Sequence, residues 1–334
     1  MPDPLAAPDI PAASPAATAP WARWARLAGL LLAPSATVVR RWALAGVITS
    51  ALIILTGAAV RLSQSGLGCP DWPNCAGNSL AAAGTTGDPL IHRWIEFGNR
   101  LVTVAIFIVA AGVCIAAWRF RPPSGRRRRD LLWLAAAQPG AIVLQALLGG
   151  AVVATKLNPA LVSVHFLASV ALVAATVGLY VRCQEGLAPP VPLAPRPVRL
   201  AALGIVGTIA LMVAAGTVVT GTGPLAGAAD VARYHLPAGG VTQLHADIGW
   251  LLGGLMVALL LGLRLTAAPR KAVRLGWLLL GLVGLQGVIG YAQYFSGLPA
   301  GLVWFHVTGS VGIWITALLL PYALRERGSI GDPE

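Results

Sequence analysis

The sequence predicts an all-α, polytopic membrane protein whose eight transmembrane helices form two pseudo-symmetric four-helix bundles. Composition gives the solvent: 57% of the 334 residues are hydrophobic and 11% charged, so most of the surface must face lipid. Patterning gives the count. Eight apolar runs approach the roughly 20 residues that cross about 30 Å of hydrocarbon, near 42–62, 92–118, 131–154, 162–182, 201–221, 241–264, 275–296 and 302–324. Internal repetition gives the architecture. Gly57-Ala58-Ala59-Val60 ending the first run is echoed by Gly216-Thr217-Val218-Val219 in the fifth. Leu144-Gln145 is echoed by Leu285-Gln286, each glutamine standing 20 residues before a histidine, His165 or His306. Halves of four helices that enter the membrane from one side are related by an axis along its normal.

Basic residues set the orientation, because Lys and Arg accumulate on the cytoplasmic side. With the N-terminus inside, 19 of the 24 lie on the inner side, and only Arg61, Arg93, Arg100, Lys156 and Arg233 lie in the outer half. The expectation is a multi-pass protein of the cell (plasma) membrane with both termini cytoplasmic. The net charge of +12 is then a topology signal and an attraction to anionic headgroups, not a nucleic-acid surface. The chain divides into a tail at 1–40, a bundle at 41–183, a cytoplasmic linker at 184–200, a second bundle at 201–325 and a tail at 326–334.

In chain order, the Pro/Ala-rich first 20 residues have almost nothing to bury and are expected to be disordered, without the Arg-rich, acid-poor pattern of a transit peptide. Trp21, Arg23, Trp24 and Arg26 suit a short juxtamembrane anchor. After the first helix, Cys69-Pro70-Asp71-Trp72-Pro73-Asn74-Cys75 places two cysteines on the oxidising side, where they form either a disulfide or a thiol pair for redox exchange. Cys114 reads as packing. The second helix opens with His92-Arg93-Trp94-Ile95-Glu96-Phe97-Gly98-Asn99-Arg100, where His92, Glu96 and Asn99 share one helical face. Charges so placed in an apolar segment must face a partner, a ligand or water. Gln138-Pro139-Gly140 marks an expected kink in the third helix. The run from Pro189 to Pro197 reads as linker.

Four histidines, His92, His165, His245 and His306, fall in the first turns of the even-numbered helices and so lie at similar depth near the outer face. A lone membrane histidine is ordinarily a hydrogen-bonded packing residue. Four at one depth, two per bundle, point to axial ligation of two haem-sized groups, His92 with His165 and His245 with His306. Zinc or copper is disfavoured, since neither pair has a third ligand beside it.

The Cys-Pro-Asp-Trp-Pro-Asn-Cys loop, the Ile95-Glu96-Phe97-Gly98-Asn99-Arg100 segment, the paired Leu-Gln motifs and the histidines of helices four, six and eight together resemble haem A synthase over about residues 42–324. The resemblance implies an enzyme that oxidises one methyl group of haem O to a formyl group, giving haem A for cytochrome oxidase. It implies a haem b cofactor in the C-terminal half on His245 and His306, and haem O in the N-terminal half. A haem O synthase, an electron acceptor and a second copy of the chain are candidate partners. One departure stands out: the family has a histidine where this chain has Asn99. His92 lies seven residues earlier on the same face, about 10 Å along the axis, and replaces the missing ligand only if haem or helix shifts outward; the alternative is ligation by His165 alone.

Methyl-to-aldehyde conversion removes four electrons, and two successive hydroxylations followed by dehydration reach that product. Glu96 matches the family's essential carboxylate, suited to general-base work on water or to stabilising a cation at the methyl carbon. The bland reading pairs Glu96 with Arg93 or Arg100 inside the bundle. Asp247 is expected near the cofactor's surroundings, and Arg61 and Arg100 either pair propionates or anchor helix ends. The rival function is a non-catalytic di-haem b-type electron-transfer protein, which needs no carboxylate at Glu96. A transporter would instead place broken helices and polar residues at mid-membrane.

Overall fold

The computed structural model describes residues 34–75, 77, 90–122, 125 and 127–330. Among them are eight helices: α1 Ala36–Leu62, α2 Leu90–Arg119, α3 Arg129–Ala154, α4 Pro159–Arg182, α5 Arg196–Thr222, α6 Ala238–Leu265, α7 Arg270–Phe295 and α8 Ala300–Ala323. All eight are long and apolar enough to span a membrane. The anchor expected at 21–26 lies outside the described residues.

Two expected boundaries are corrected, and for one reason. The tail does not extend to residue 40, since α1 starts at Ala36 behind Ser35, whose hydroxyl accepts from the Val38 N–H. The linker does not extend to 200, because α5 starts at Arg196 with Pro197 in its first turn, where a missing N–H costs nothing. Basic side chains near a helix start, Arg40 and Arg41 after the first turn of α1 and Arg196 and Arg199 in α5, reach into the headgroups and interrupt the apolar run, so hydropathy alone shortens these helices. At Pro139, α3 continues as one helix.

Helices α1 to α4 pack in a closed ring, α1–α2–α3–α4–α1, and α5 to α8 repeat it. Between the rings α1 packs on α8, α4 on α5, and α4 on α8. Exchanging α1 with α5 and α4 with α8 interconverts the first two contacts and preserves the third, which is a two-fold relation between the halves. The largest core crosses this seam, with Val173 and Val177 of α4 against Ile205 and Ile209 of α5 and Ala317 and Leu320 of α8. Lipid tails are as apolar as these side chains, so close packing and hydrogen bonds hold the seam. Trp314 Nε1 donates to the Val170 carbonyl at 2.9 Å, and Trp304 Nε1 to the Leu55 carbonyl at 3.1 Å. The α3–α4 and α7–α8 turns also repeat: Lys156 and Leu157 have φ of 51° and 60°, Gly297 and Leu298 of 76° and 60°.

At the end opposite the disulfide loop, an ionic cluster clamps the two halves. Asp130 receives Arg128 at 2.8 Å and Arg182 at 2.6 Å, while Glu185 receives Arg182 at 2.6 Å and Arg325 at 2.8 Å. The short antiparallel pair β1 Val191–Pro192 and β2 Arg325–Glu326 closes over it. Cys183 is buried beneath, and that burial pushes its thiol up to about 12, so almost none is thiolate at neutral pH.

Removing the shared carboxylate with Asp130→Ala takes the carboxylate from Arg128, 2% exposed, and leaves Arg182, 10% exposed, with Glu185 alone. The expected loss is roughly 2 kcal/mol, between the values of buried and exposed pairs. It is read as a lower unfolding temperature in detergent together with faster alkylation of Cys183 at pH 8. Unchanged labelling and unfolding would show that the cluster holds nothing together.

Candidate functional site

The site lies at the disulfide-loop end, where α2, α4, α6 and α8 begin and α1, α3, α5 and α7 finish. The loop is fixed first. Cys69 and Cys75 are joined in a disulfide and both are buried. Beneath it Glu96, 6% exposed, accepts the Cys69 N–H at 2.7 Å through Oε2 and pairs Oε1 with Arg100 at 2.6 Å. Arg100 in turn donates to the carbonyls of Cys69, Asp71, Pro73 and Asn74 at 2.9–3.3 Å. A carboxylate and a guanidinium one turn apart thus hold the loop against α2, so the expected Glu96–Arg100 pair is present and the guanidinium of Arg100 is occupied by the loop. Arg61 is likewise used, donating to the Leu225 carbonyl at 3.1 Å across the two halves. Arg93 is buried.

Three histidines share one local construction. His165 and His306 are each the seventh residue of their helices α4 and α8, and His245 is the eighth of α6. Each ring rests on a glycine of the preceding helix. A Cβ on Gly149 would meet His165 Cε1 at 3.6 Å, one on Gly216 would meet His245 Cε1 at 3.3 Å, and one on Gly290 would meet His306 Cε1 at 3.4 Å. Sequence reading missed these seats, although a glycine four residues after each repeated glutamine, Gly149 and Gly290, was a visible signal. Gln145 reaches from α3 to α4, donating to the His165 carbonyl at 3.2 Å and to Ser169 Oγ at 2.6 Å. Gln286 packs flat on Gly309 in the same relative place.

In the second half the imidazoles of His245 and His306 face each other with ring centres 6.3 Å apart. A metal held at roughly 2 Å by one nitrogen of each ring sets the ring centres about 6 Å apart, so this spacing fits two axial ligands on one iron. His245 Nδ1 lies 3.1 Å from the Met212 carbonyl; an Nδ1–H donating there leaves Nε2 with its lone pair for metal. His306 Nδ1 points at the Gln286 backbone without reaching hydrogen-bond geometry, and His165 Nδ1 is buried with no partner among the described residues. The donor set therefore fits a haem. No cluster of three His, Cys, Asp or Glu suited to another metal occurs among the described residues. Asp247 is exposed on α6 and accepts from Gln243 Nε2 at 2.7 Å.

The first half is built differently. His92, the third residue of α2, has Nδ1 2.8 Å from Ser65 Oγ in the loop after α1. Asn99 instead reaches α1, its Oδ1 accepting from Thr56 Oγ1 at 2.8 Å. Thr56 adjoins Gly57, and a Cβ on Gly57 would meet nothing within 4 Å.

Fold and site together define a polytopic helical membrane protein with a pair of imidazoles in one half and, in the other, a disulfide loop held by a helix carboxylate. Comparison with known proteins narrows the class. The family model COX15-CtaA, described as cytochrome oxidase assembly protein, matches residues 40–318. The chain belongs to that family. It is 26% identical to a protein named heme A synthase from Shewanella oneidensis over 333 residues, 83% of this chain and 94% of the relative. Shorter matches reach 34% identity to a heme A synthase of Lysinibacillus sphaericus, over 38% of this chain and 39% of that one, and 33% to one of Geobacillus kaustophilus, over 33% and 32%.

The glycine seats give a direct test of the imidazole pair. Gly216→Leu or Gly290→Leu is expected to displace His245 or His306 and to cut the haem-to-protein ratio of purified material several-fold with helical content retained. Gly254→Leu, on α6 where a Cβ meets nothing within 4 Å, is expected to leave that ratio intact.

Proposed function

We propose that the chain is a haem A synthase, converting one methyl group of haem O to a formyl group in the cell membrane. The observation that carries the reading is the His245–His306 pair, spaced for one iron in a chain whose family match covers residues 40–318. The second half holds haem b on these two histidines, and the first half receives haem O between Glu96, His165 and the disulfide loop, with His92 at its mouth. The bound haem supplies one-electron redox chemistry at its iron.

The protein's own groups do the rest. Glu96 cannot wander, because both of its oxygens are held, so its negative charge has a fixed position beside the substrate half. That suits stabilisation of positive charge developing at the methyl carbon, or acceptance of a proton from water. The disulfide loop, with its two cysteines buried and residues 70–73 exposed, packs over the start of α2 at this end. Gln145 fixes the α4 backbone at His165 and so the aim of that ring. The methyl group loses four electrons in two hydroxylations, and dehydration yields the aldehyde; an electron acceptor outside this chain takes them. Both termini are cytoplasmic on this reading, supported by the 19 basic residues of 24 on that side. A haem O synthase delivering the substrate and a homo-oligomer belong to the same proposal.

The test expresses the protein in cells that make haem O and separates the extracted porphyrins by chromatography. Wild type is expected to yield haem A and Glu96→Ala at least 100-fold less, consistent with loss of a group that acts on the reacting atoms. Arg100→Ala reports loop positioning alone and is expected to fall less far. Haem B as the sole porphyrin from wild type, unchanged by Glu96→Ala, would replace this reading with the di-haem electron-transfer protein.

A further inference from the structure

We infer that the first half holds the iron of its porphyrin substrate through one protein ligand, His165. Asn99 stands on the opposite side as a hydrogen-bond donor, leaving the sixth position to a small exogenous ligand. This rests on the haem A synthase reading and adds to it the coordination of the substrate.

The internal repeat supplies the register. Gln145, Gly149 and His165 recur as Gln286, Gly290 and His306, each 141 residues later, so α3–α4 and α7–α8 superpose position by position. In α5–α6 the remaining imidazole, His245, sits on Gly216, with Cε1 at 3.3 Å and Nδ1 at 3.6 Å from a Cβ there. The sequence echo makes Gly57 the counterpart of Gly216. Among the described residues, and apart from its own chain neighbours and helix backbone, nothing comes within 4 Å of the same point at Gly57, and the residue that reaches α1 at that level is Asn99, bonded to the adjacent Thr56. Asn99 therefore occupies the slot of His245 with a shorter side chain, and the volume a ring would fill lies open.

His92 does not come to that slot. Its counterpart is Ala238, the first residue of α6, seven residues ahead of His245. It sits about two turns, or 10 Å, nearer the end of the bundle, with Ser65 as its partner. The backbone of Gly68 packs directly on the His92 carbonyl. Sliding α2 two turns to bring His92 down would break the Glu96 bonds to Cys69 and Arg100 and the whole set from Arg100 to the loop.

The amide is oriented. Thr56 Oγ1 lies 2.8 Å from Asn99 Oδ1 and 3.2 Å from the Ile53 carbonyl, and its one proton goes to the shorter contact, while Nδ2 has no protein partner among the described residues. A carboxamide does not coordinate iron usefully, but an N–H held opposite His165 stabilises a small ligand that carries partial negative charge. The two halves then differ in kind: a closed centre with two imidazoles and an open one with a single imidazole.

The experiment uses full-length protein from cells making haem O, with bound haems counted after extraction and carbon monoxide as the probe. The haem O or haem A fraction is expected to be high-spin and to bind one carbon monoxide per haem when reduced, while the haem b fraction stays low-spin and inert. Asn99→His is expected to abolish that carbon monoxide binding and turn the fraction low-spin. Asn99→Leu and Thr56→Val are expected to keep the binding and raise the C–O stretching frequency, as loss of a donor requires, and His92→Ala is expected to change neither. A wild-type fraction that is low-spin and inert, and is opened by His92→Ala, overturns the inference and makes His92 the second ligand. Protein that carries no haem O or haem A at all overturns the synthase reading itself, and the coordination with it.

Discussion

Everything at the functional end follows from one constraint: a polar group inside a lipid-facing bundle must find a partner within the protein. The disulfide loop contributes backbone groups that have no helix to satisfy them, and α2 contributes two charges at the start of an apolar segment, Glu96 buried and Arg100 partly so. Each solves the other's problem. Four loop carbonyls surround Arg100, and a loop N–H reaches Glu96. The consequence is positional, since the carboxylate ends up fixed relative to the helix that also carries His92 and Asn99. A pair that a surface count would value at under about 1 kcal/mol is here the device that sets the loop, the helix start and the site in one frame.

The same constraint explains the pairing of imidazoles with glycines. A ring that must sit between two helices needs the neighbouring backbone close, and a residue without a Cβ leaves the most room for it. Gly216 is the tightest of the three seats, where a Cβ would meet the ring at 3.3 Å, against 3.4 Å at Gly290 and 3.6 Å at Gly149. At His245 the close approach also puts Nδ1 within reach of the Met212 carbonyl, so one packing choice positions the ring and sets its tautomer. Close helix approach is also how membrane helices associate, because burial of apolar area offers no gain over lipid. Stability and site construction therefore draw on the same small residues.

Much of this was legible in the sequence, for identifiable reasons. The eight spans announce themselves because the hydrocarbon sets their length, and the repeat because Leu-Gln and histidine recur at one spacing. The helix starts at Ala36 and Arg196 were not legible from hydropathy, since Arg40 and Arg41 in α1 and Arg196 and Arg199 in α5 cut the apolar run short of the helix start. The disulfide was one of two readings until the structure joined Cys69 to Cys75. The pair of Glu96 with Arg100 was foreseen as the bland alternative; its use as a clamp for the loop was not, because backbone carbonyls leave no mark in a sequence. The Thr56–Asn99 bond was invisible for the same reason that most inter-helix polar contacts are: it joins residues 43 apart whose types are common in membrane helices.

The divergence between the halves carries the functional argument furthest. Duplicated bundles begin with equivalent sites, and a pair of imidazoles on one iron makes a centre that exchanges electrons while its coordination stays closed. Oxidation of a methyl group asks for something else, a position where a small reactant can approach the porphyrin. Shortening one side chain at one slot provides it without disturbing the bundle, because Thr56 replaces the lost contact to α1 and the glycine seat simply stays empty of side chain. The carboxylate sits three residues before that slot on the same helix face, whereas its counterpart in the second half, Thr242, carries no charge. On the proposed function, asymmetry in these two positions of a repeated framework separates a half that passes electrons from a half that does chemistry on what it binds.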